Sequence, residues 1–297
     1  MTEPLVLVTG SSSRGWHRLQ SFLECPQRFA WEHRYGVRGF DSDEARCGRM
    51  TELRAEERAE VSRSPNLIRG SLVHLGLSHH YARLRESQQG RDPELYLPWP
   101  DAMKVVSQKE GPVYRYHCDE MIDCVEAYIR HYADRDDFEV LHVEELIEGK
   151  IFGHTYTGRL DLVTRSPDGR IWAWDHKTTG RIEKKHKIFY SVSGQLLGYR
   201  WLLTQVYGEK VAGLRVNLIQ NNKDQGFAFD RPLMDPAPHL FRNFAERVAR
   251  AEELIREYDQ KYPDYTKWPA AMNEMTCYGR YGACPHIEKC RMGEAIG

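Results

Sequence analysis

Residues 171–180 read IWAWDHKTTG, and this stretch constrains the fold more tightly than any other in the chain. Ile171, Trp172, Ala173 and Trp174 form an apolar run of strand length, suited to a β-strand covered on both faces. Asp175, His176 and Lys177 follow with no turn residue between. Charged groups at the end of a buried strand are costly unless they are paired or bind an ion. A chain with this feature needs a sheet, cover for both faces, and a partner for the charges.

The neighbouring sequence supplies the sheet. EVLHVEELIEG (139–149), KIFGHTYTGRLDLVTR (150–165) and RIWAWDHKT (170–178) read as three strands, with SPDG (166–169) as the turn between the last two. VSGQLLGYRWLLTQVYG (192–208) reads as a helix ended by Gly208, VAGLRVNLIQN (211–221) as a fourth strand, and 238–258 as a long amphipathic helix. Before residue 135 the pattern is mainly helical. Residues 17–36 have apolar residues at helical spacing with a boundary near Cys25, where Pro26 follows. Residues 67–84 form a helix carrying His74, a proline-bearing loop runs to about 113, and another helix covers about 117–134. The charged stretch 41–64 reads as a solvated helix or insertion. Helices around a small mixed sheet make an α/β chain.

If SPDG closes a hairpin centred near Asp168, Asp161 lies opposite Asp175. Directly opposed residues of an antiparallel pair are roughly 4.5–5.5 Å apart at Cβ. Lys177 shares a face with Asp175 because strand side chains alternate, and Leu160, Leu162, Trp172 and Trp174 take the other face. Two close carboxylates repel unless a cation or proton lies between them, and Mg²⁺ or Mn²⁺ with oxygen ligands resolves that conflict. The residues alone leave a second reading open, in which Asp175 and Lys177 are an exposed ion pair and DHKTTG is a turn.

Composition narrows the class. The 297 residues are 41% hydrophobic and 29% charged with net charge −1, so a core is affordable and no global basic field marks a polyanion partner. No apolar run approaches the ~20 residues of a membrane span, and the start MTEPLVLVTGSSSRG lacks the features of a secretory signal. The expectation is a cytoplasmic protein, where seven cysteines point to thiols or metal ligands rather than disulfides. VTGSSSRG lacks the G-K-[ST] ending of a P-loop and the G-x-G-x-x-G dinucleotide spacing.

GRLDLV…WAWDHKTTG resembles the G-x-x-D…(D/E)-x-K core of the PD-(D/E)XK nucleases, in their RecB-like branch with the AddB nuclease, phage exonucleases and the iron–sulfur nucleases of CRISPR adaptation. Further matches follow the family order. RGSLVHLGL looks like the helix that donates a metal-binding histidine, His74. HVEELIEG resembles the glutamate-bearing strand, giving Glu144 with Glu145 adjacent. SGQLLGYRWLL resembles the Q-x-x-x-Y helix, giving Gln195 and Tyr199. Cys25, with Cys277, Cys284 and Cys290 in a C-x6-C-x5-C tail, resembles the family's split iron–sulfur signature, with Pro285 after the middle tail cysteine. Four thiolates suit a [4Fe–4S] cluster, and zinc stays open as the alternative. Cys47, Cys118 and Cys124 fit no ligand pattern.

The resemblance implies a restriction-endonuclease-like core whose chain ends are tied by the cluster. It implies one RecB-like nuclease domain over 1–297, comprising a helical part (1–135), a catalytic sheet core (139–221) and a C-terminal helix with cluster-binding tail (238–297). It further implies a Mg²⁺- or Mn²⁺-dependent DNA exonuclease of recombination and repair. The metal would be held by His74, Asp161, Asp175 and the His176 backbone carbonyl; Lys177 would be catalytic, Glu144 would support a second ion, and Gln195 and Tyr199 would position the strand. Arg181, Lys184, Lys185 and Lys187 are the candidate phosphate contacts. The implied partners are single-stranded DNA ends and a helicase, recombination or CRISPR-adaptation protein on a separate chain. The rival expectations are a catalytically silent DNA-end-binding subunit and a zinc-stapled binding module.

Overall fold

The computed structural model describes residues 4–7, 9, 12–34, 65–279, 282–284, 286, 287 and 290. The charged stretch 41–64, Cys47 and Pro285 lie outside the described residues. The chain divides into two compact units. The first draws on 1–12, 63–150 and 155–244, the second on 13–62, 151–154 and 245–297.

In the first unit, α3 (Pro65–Gln88), α4 (Trp99–Glu110) and α5 (Pro112–Tyr132) pack together. The segment around α4 reads as loop in sequence because of its prolines. Here Pro98 caps the helix, Pro100 falls in its first turn, and Pro112 begins α5. Proline is tolerated in a first turn, where its missing N–H has no helical partner anyway.

The sheet follows in the order β1 (Glu139–Ile151), β2 (His154–Arg165), β3 (Ile171–Thr179), β4 (Val211–Gln220), β5 (Ala228–Asp230), with β6 (Leu233–Met234) also on β4. The expected second strand from residue 150 breaks at Phe152 and Gly153, whose φ of 46° and 85° make a turn between β1 and β2. β2 and β3 are antiparallel, β3 and β4 parallel, and β4 and β5 antiparallel, so the sheet is mixed. The β2–β3 ladder runs from Arg165↔Ile171 to Leu162↔Trp174, the register expected from the SPDG turn. Asp161 and Asp175 are the next residue on each strand.

α6 (Lys184–Ser191) follows β3 and opens with a capping box in which Glu183 and His186 exchange hydrogen bonds with each other's backbone. α7 (Gly194–Tyr207) then crosses to β4, packing on β3 and β4. Two glycines let helices close on the strands. A Cβ on Gly70 of α3 would lie 2.9 Å from Thr178 Oγ1, and one on Gly158 of β2 would lie 2.8 Å from Leu202 and 3.1 Å from the Tyr199 ring. The apolar core between α3–α5 and the sheet includes Leu72, Val73, Met121, Val125, Leu162, Trp174 and Ile219.

The second unit is built on α1 (Trp16–Glu24) and α2 (Pro26–His33), which break at Cys25 as expected, and on most of α8 (Pro238–Lys261). Its core is aromatic: Phe22 meets Phe29, Tyr258 and Trp268 edge-on at 5.4, 5.6 and 6.3 Å, and Phe29 stacks on Trp268 at 5.8 Å. Arg18 and Arg34 pair with Glu252 and Asp259. The tail carries α9 (Glu274–Cys277) and a minimal hairpin of β7 (Tyr278–Gly279) and β8 (Gly282–Ala283). Among the described residues no helix is long and apolar enough to cross a membrane.

Candidate active site

Just past the β2–β3 ladder, the first unit gathers ligand chemistry from a helix and two strands. One ligand atom each of His74 (α3), Glu144 (β1) and Asp161 (β2) lies within 4.8 Å of the other two. His74 Nδ1 is 3.6 Å from Asp161 Oδ2. The His176 backbone N–H donates to the same Asp161 oxygen at 2.6 Å. Glu144 turns inward because β1 breaks its alternation there. Val143 and Glu144 are both buried, Glu145 and Leu146 both exposed, and Glu144 holds φ 50°. Such a conformation in a non-glycine costs of order 1–3 kcal/mol and clusters at functional sites. Arg159 donates to the Glu144 carbonyl at 2.9 Å. Glu145, the sequence alternative to Glu144, instead meets His142 at the surface.

Asp175 and Lys177 sit beside this triplet on β3. Asp175 is buried and takes an ion pair from Lys177 at 2.7 Å through Oδ2, while its Oδ1 has no hydrogen-bond partner. Lys177 Nζ also donates to Gln195 Oε1 at 3.1 Å, and Gln195 Nε2 donates to Tyr199 OH at 2.7 Å. The i, i+4 pair on α7 therefore ends on the lysine.

The electrostatics follow from burial and crowding. Burial lifts Glu144 well above the usual carboxylate range, and the Asp161 charge lifts it further. Burial also raises Asp161, against the pull of Lys177 and the His176 N–H, and it raises Asp175. His74 is pushed down to about 4 by burial and then by Lys177, so it is a neutral imidazole near pH 7, the form that binds metals. Burial opposes the charge on Lys177, but Asp175 and Asp161 outweigh it and hold the ammonium above its ordinary pKa. Crowded carboxylates, an orphaned buried Asp175 oxygen and a neutral imidazole are a donor set that a hard divalent cation satisfies.

A sequence profile of the PD-(D/E)XK nuclease superfamily matches residues 16–291. The chain belongs to that superfamily. This PD-(D/E)XK protein has its mixed sheet flanked by helices, the arrangement of a restriction-endonuclease-like core. No curated protein matches it. Among solved structures it is similar to an exonuclease by provisional assignment from Eubacterium rectale, at 12% identity and TM-score 0.46 over 98% of this chain and 96% of that one. A second similar structure is that of SSO0001, at 16% identity and TM-score 0.31 over 70% and 87%. Nuclease superfamily membership makes DNA the substrate class and a divalent metal the cofactor class.

Of the residues expected from sequence, the fold brings His74, Glu144, Asp161, Asp175, Lys177, Gln195 and Tyr199 into one neighbourhood. The His176 side chain, by contrast, turns toward Asn217, whose Nδ2 is 3.0 Å from its Nδ1. Arg181 is exposed just past β3, and Lys184, Lys185 and Lys187 lie exposed on α6; Lys185 pairs with Glu183. Cys25, Cys277, Cys284 and Cys290 all fall in the second unit. Cys25 Sγ accepts from Arg28 N–H at 3.4 Å, and Cys284 N–H donates to the Cys277 carbonyl at 2.7 Å. Cys118 and Cys124 are buried in the core of the first unit. Sequence reasoning passed over Asn217, Tyr128 and Arg231, which are polar residues packed behind the site. The one available signal was an asparagine at an inward position of an apolar strand.

Proposed function

We propose that this protein is a Mg²⁺- or Mn²⁺-dependent deoxyribonuclease of the RecB-like branch that degrades DNA exonucleolytically from single-stranded ends, in recombination, repair or DNA processing. The observation that carries the reading is a neutral imidazole and buried carboxylates converging beside a lysine held between Asp175 and Gln195. His74, Asp161 and Asp175, with the His176 carbonyl, would hold the ion, and Glu144 would join them or support a second. A divalent cation there supplies positive charge against the phosphate oxygens and lowers the pKa of the attacking water.

The chain's own groups do the rest. Lys177 stays an ammonium, so it serves as a donor that orients the water and offsets charge developing on the phosphoryl oxygens, rather than as a base. Asp175 and Gln195 fix its Nζ from two sides, and Tyr199 fixes Gln195. The new P–O bond forms to the water oxygen as the bond to the leaving deoxyribose oxygen breaks. Arg181, Lys184, Lys185 and Lys187, exposed directly after the active strand, would hold backbone phosphates.

The four cysteines, all in the second unit, would hold a [4Fe–4S] cluster. The Cys290 thiol is raised by burial and then by Cys25, Cys277 and Cys284, so it lies in electrostatic reach of the other three. Zinc on the same four thiolates is the alternative, and metal analysis separates the two. Ligation there would staple α1–α2 to the tail. No step of hydrolysis uses it. An unwinding or CRISPR-adaptation partner would be a separate chain.

The test is digestion of single-stranded DNA labelled separately at each end, with Mg²⁺ or Mn²⁺, after anaerobic purification. Wild type should release label from one end, and Lys177→Ala should lose about 10²–10³-fold in rate at unchanged fold. Intact wild type that binds DNA ends without cutting would replace this reading with that of a silent end-binding subunit.

A further inference from the structure

Behind the ligand triplet, on the face of β3 opposite Asp175 and Lys177, runs a buried chain of polar groups. His176, Asn217, Tyr128 and Tyr81 are each no more than 1% exposed. His176 Nδ1 meets Asn217 Nδ2 at 3.0 Å, and the same Nδ2 donates to Tyr128 OH at 2.5 Å. Tyr128 OH is 3.0 Å from Tyr81 OH. Arg231 Nη2 donates to both hydroxyls, at 2.6 and 3.2 Å, and its guanidinium pairs with Asp136. The Arg231 guanidinium lies 3.3 Å from the Tyr132 ring centroid, and the Tyr81 ring stacks on His176 at 6.1 Å.

Packing gives no reason for this arrangement. Apolar side chains of similar volume often serve stability as well as a buried ion pair, and Asn217 Oδ1 and Arg231 Nε are left without partners. What the chain ends on is more informative. The His176 N–H holds Asp161 Oδ2 at 2.6 Å, and the His176 ring meets His74 edge-on at 5.7 Å. Residue 176 thus bears on two of the three triplet residues. Its Nε2 has no partner, so Asn217 anchors the imidazole by hydrogen bond.

We infer that Asn217 and Tyr128 are positioning residues for the metal site: they lock His176, and through it the orientation of Asp161 and His74. The inference rests on the proposed reading that His74, Asp161 and Asp175, joined by Glu144, hold a divalent cation. Partners one layer behind the ligands typically change metal affinity by about 10–100-fold when removed.

The test uses Tyr128→Phe, which deletes the one oxygen on which Asn217, Tyr81 and Arg231 converge and keeps the ring. Tyr132→Phe, an equal deletion on the ring that stacks on Arg231, is the control. Mn²⁺ binding without DNA is followed by the electron paramagnetic resonance signal of free Mn²⁺, together with Tm and the Mn²⁺ dependence of cleavage. Tyr128→Phe is expected to weaken Mn²⁺ binding about 10–100-fold, with kcat at saturating Mn²⁺ near wild type and Tyr132→Phe unchanged. Unchanged affinity with only a lowered Tm would overturn the inference, leaving a structural network. If Tyr128→Phe does not fold, Tyr81→Phe is read the same way: weaker Mn²⁺ at native Tm supports it, native affinity overturns it. Wild type that binds no Mn²⁺ would remove the metal reading itself, and this inference with it.

Discussion

The two ligand clusters of this chain are built in opposite ways. The His74–Glu144–Asp161 set hangs on a helix and two strands, and its ligand atoms come within 4.8 Å of one another. The cysteines sit on a helix break, the two flanks of a two-residue hairpin and the tail. The Cys290 thiol is raised by burial and then by the other three cysteines. Ligands on regular elements converge because packing and backbone ladders position them, and the like charges they gather are left for a cation to neutralise. Ligands on short loops have little else to hold them, so on the proposed reading binding and local folding are one event there. The first cluster should tolerate loss of its metal, and the second should not.

The largest expected effect sharpens that contrast. Asp161→Asn should abolish Mn²⁺-dependent cleavage while raising the metal-free Tm by a few degrees, because it relieves a buried, crowded charge. Paired calorimetry and digestion check it, and a lowered Tm would mean that the site is not preorganised at stability's expense. Cys284→Ser should do the reverse, losing iron and visible absorbance and lowering the Tm, with a smaller loss of cleavage per folded molecule. Metal analysis finding zinc and no iron in wild type would replace the cluster reading. Reversing Lys184 and Lys187 to Glu should leave both clusters intact and reduce the salt dependence of single-stranded DNA binding by about two in log–log slope; an unchanged slope would put the phosphate contacts elsewhere. The smallest effect belongs to the Arg34–Asp259 pair, whose two bonds of 2.8 and 2.9 Å are largely solvent-exposed. Arg34→Ala should change stability by about 1 kcal/mol or less in chemical denaturation.

Much of the site was legible because local rules set it. SPDG fixed the turn, the turn set the β2–β3 register, and the register placed Asp161 and Asp175 next to each other. Gln195 and Tyr199 met because i and i+4 share a helix face. Other features were hidden for equally physical reasons. The prolines around α4 mark helix starts as readily as breaks, and the turn at Phe152 lay inside what reads as one strand. Period-two alternation cannot choose between Glu144 and Glu145 where the strand itself abandons alternation.

By itself, then, the sequence determined the mixed α/β class, the break at Cys25 and the hairpin register with Asp161, Asp175 and Lys177, since each depends on neighbours close along the chain, while His74, Glu144, Gln195 and Tyr199 came through the family resemblance. Tertiary structure alone decided that Glu144 rather than Glu145 turns in to join His74 and Asp161. It also decided that His176 turns to Asn217 and that Arg231 reaches Tyr128 across 103 positions of sequence. Those choices depend on which helix closes on which face of the sheet, and no local pattern carries that information.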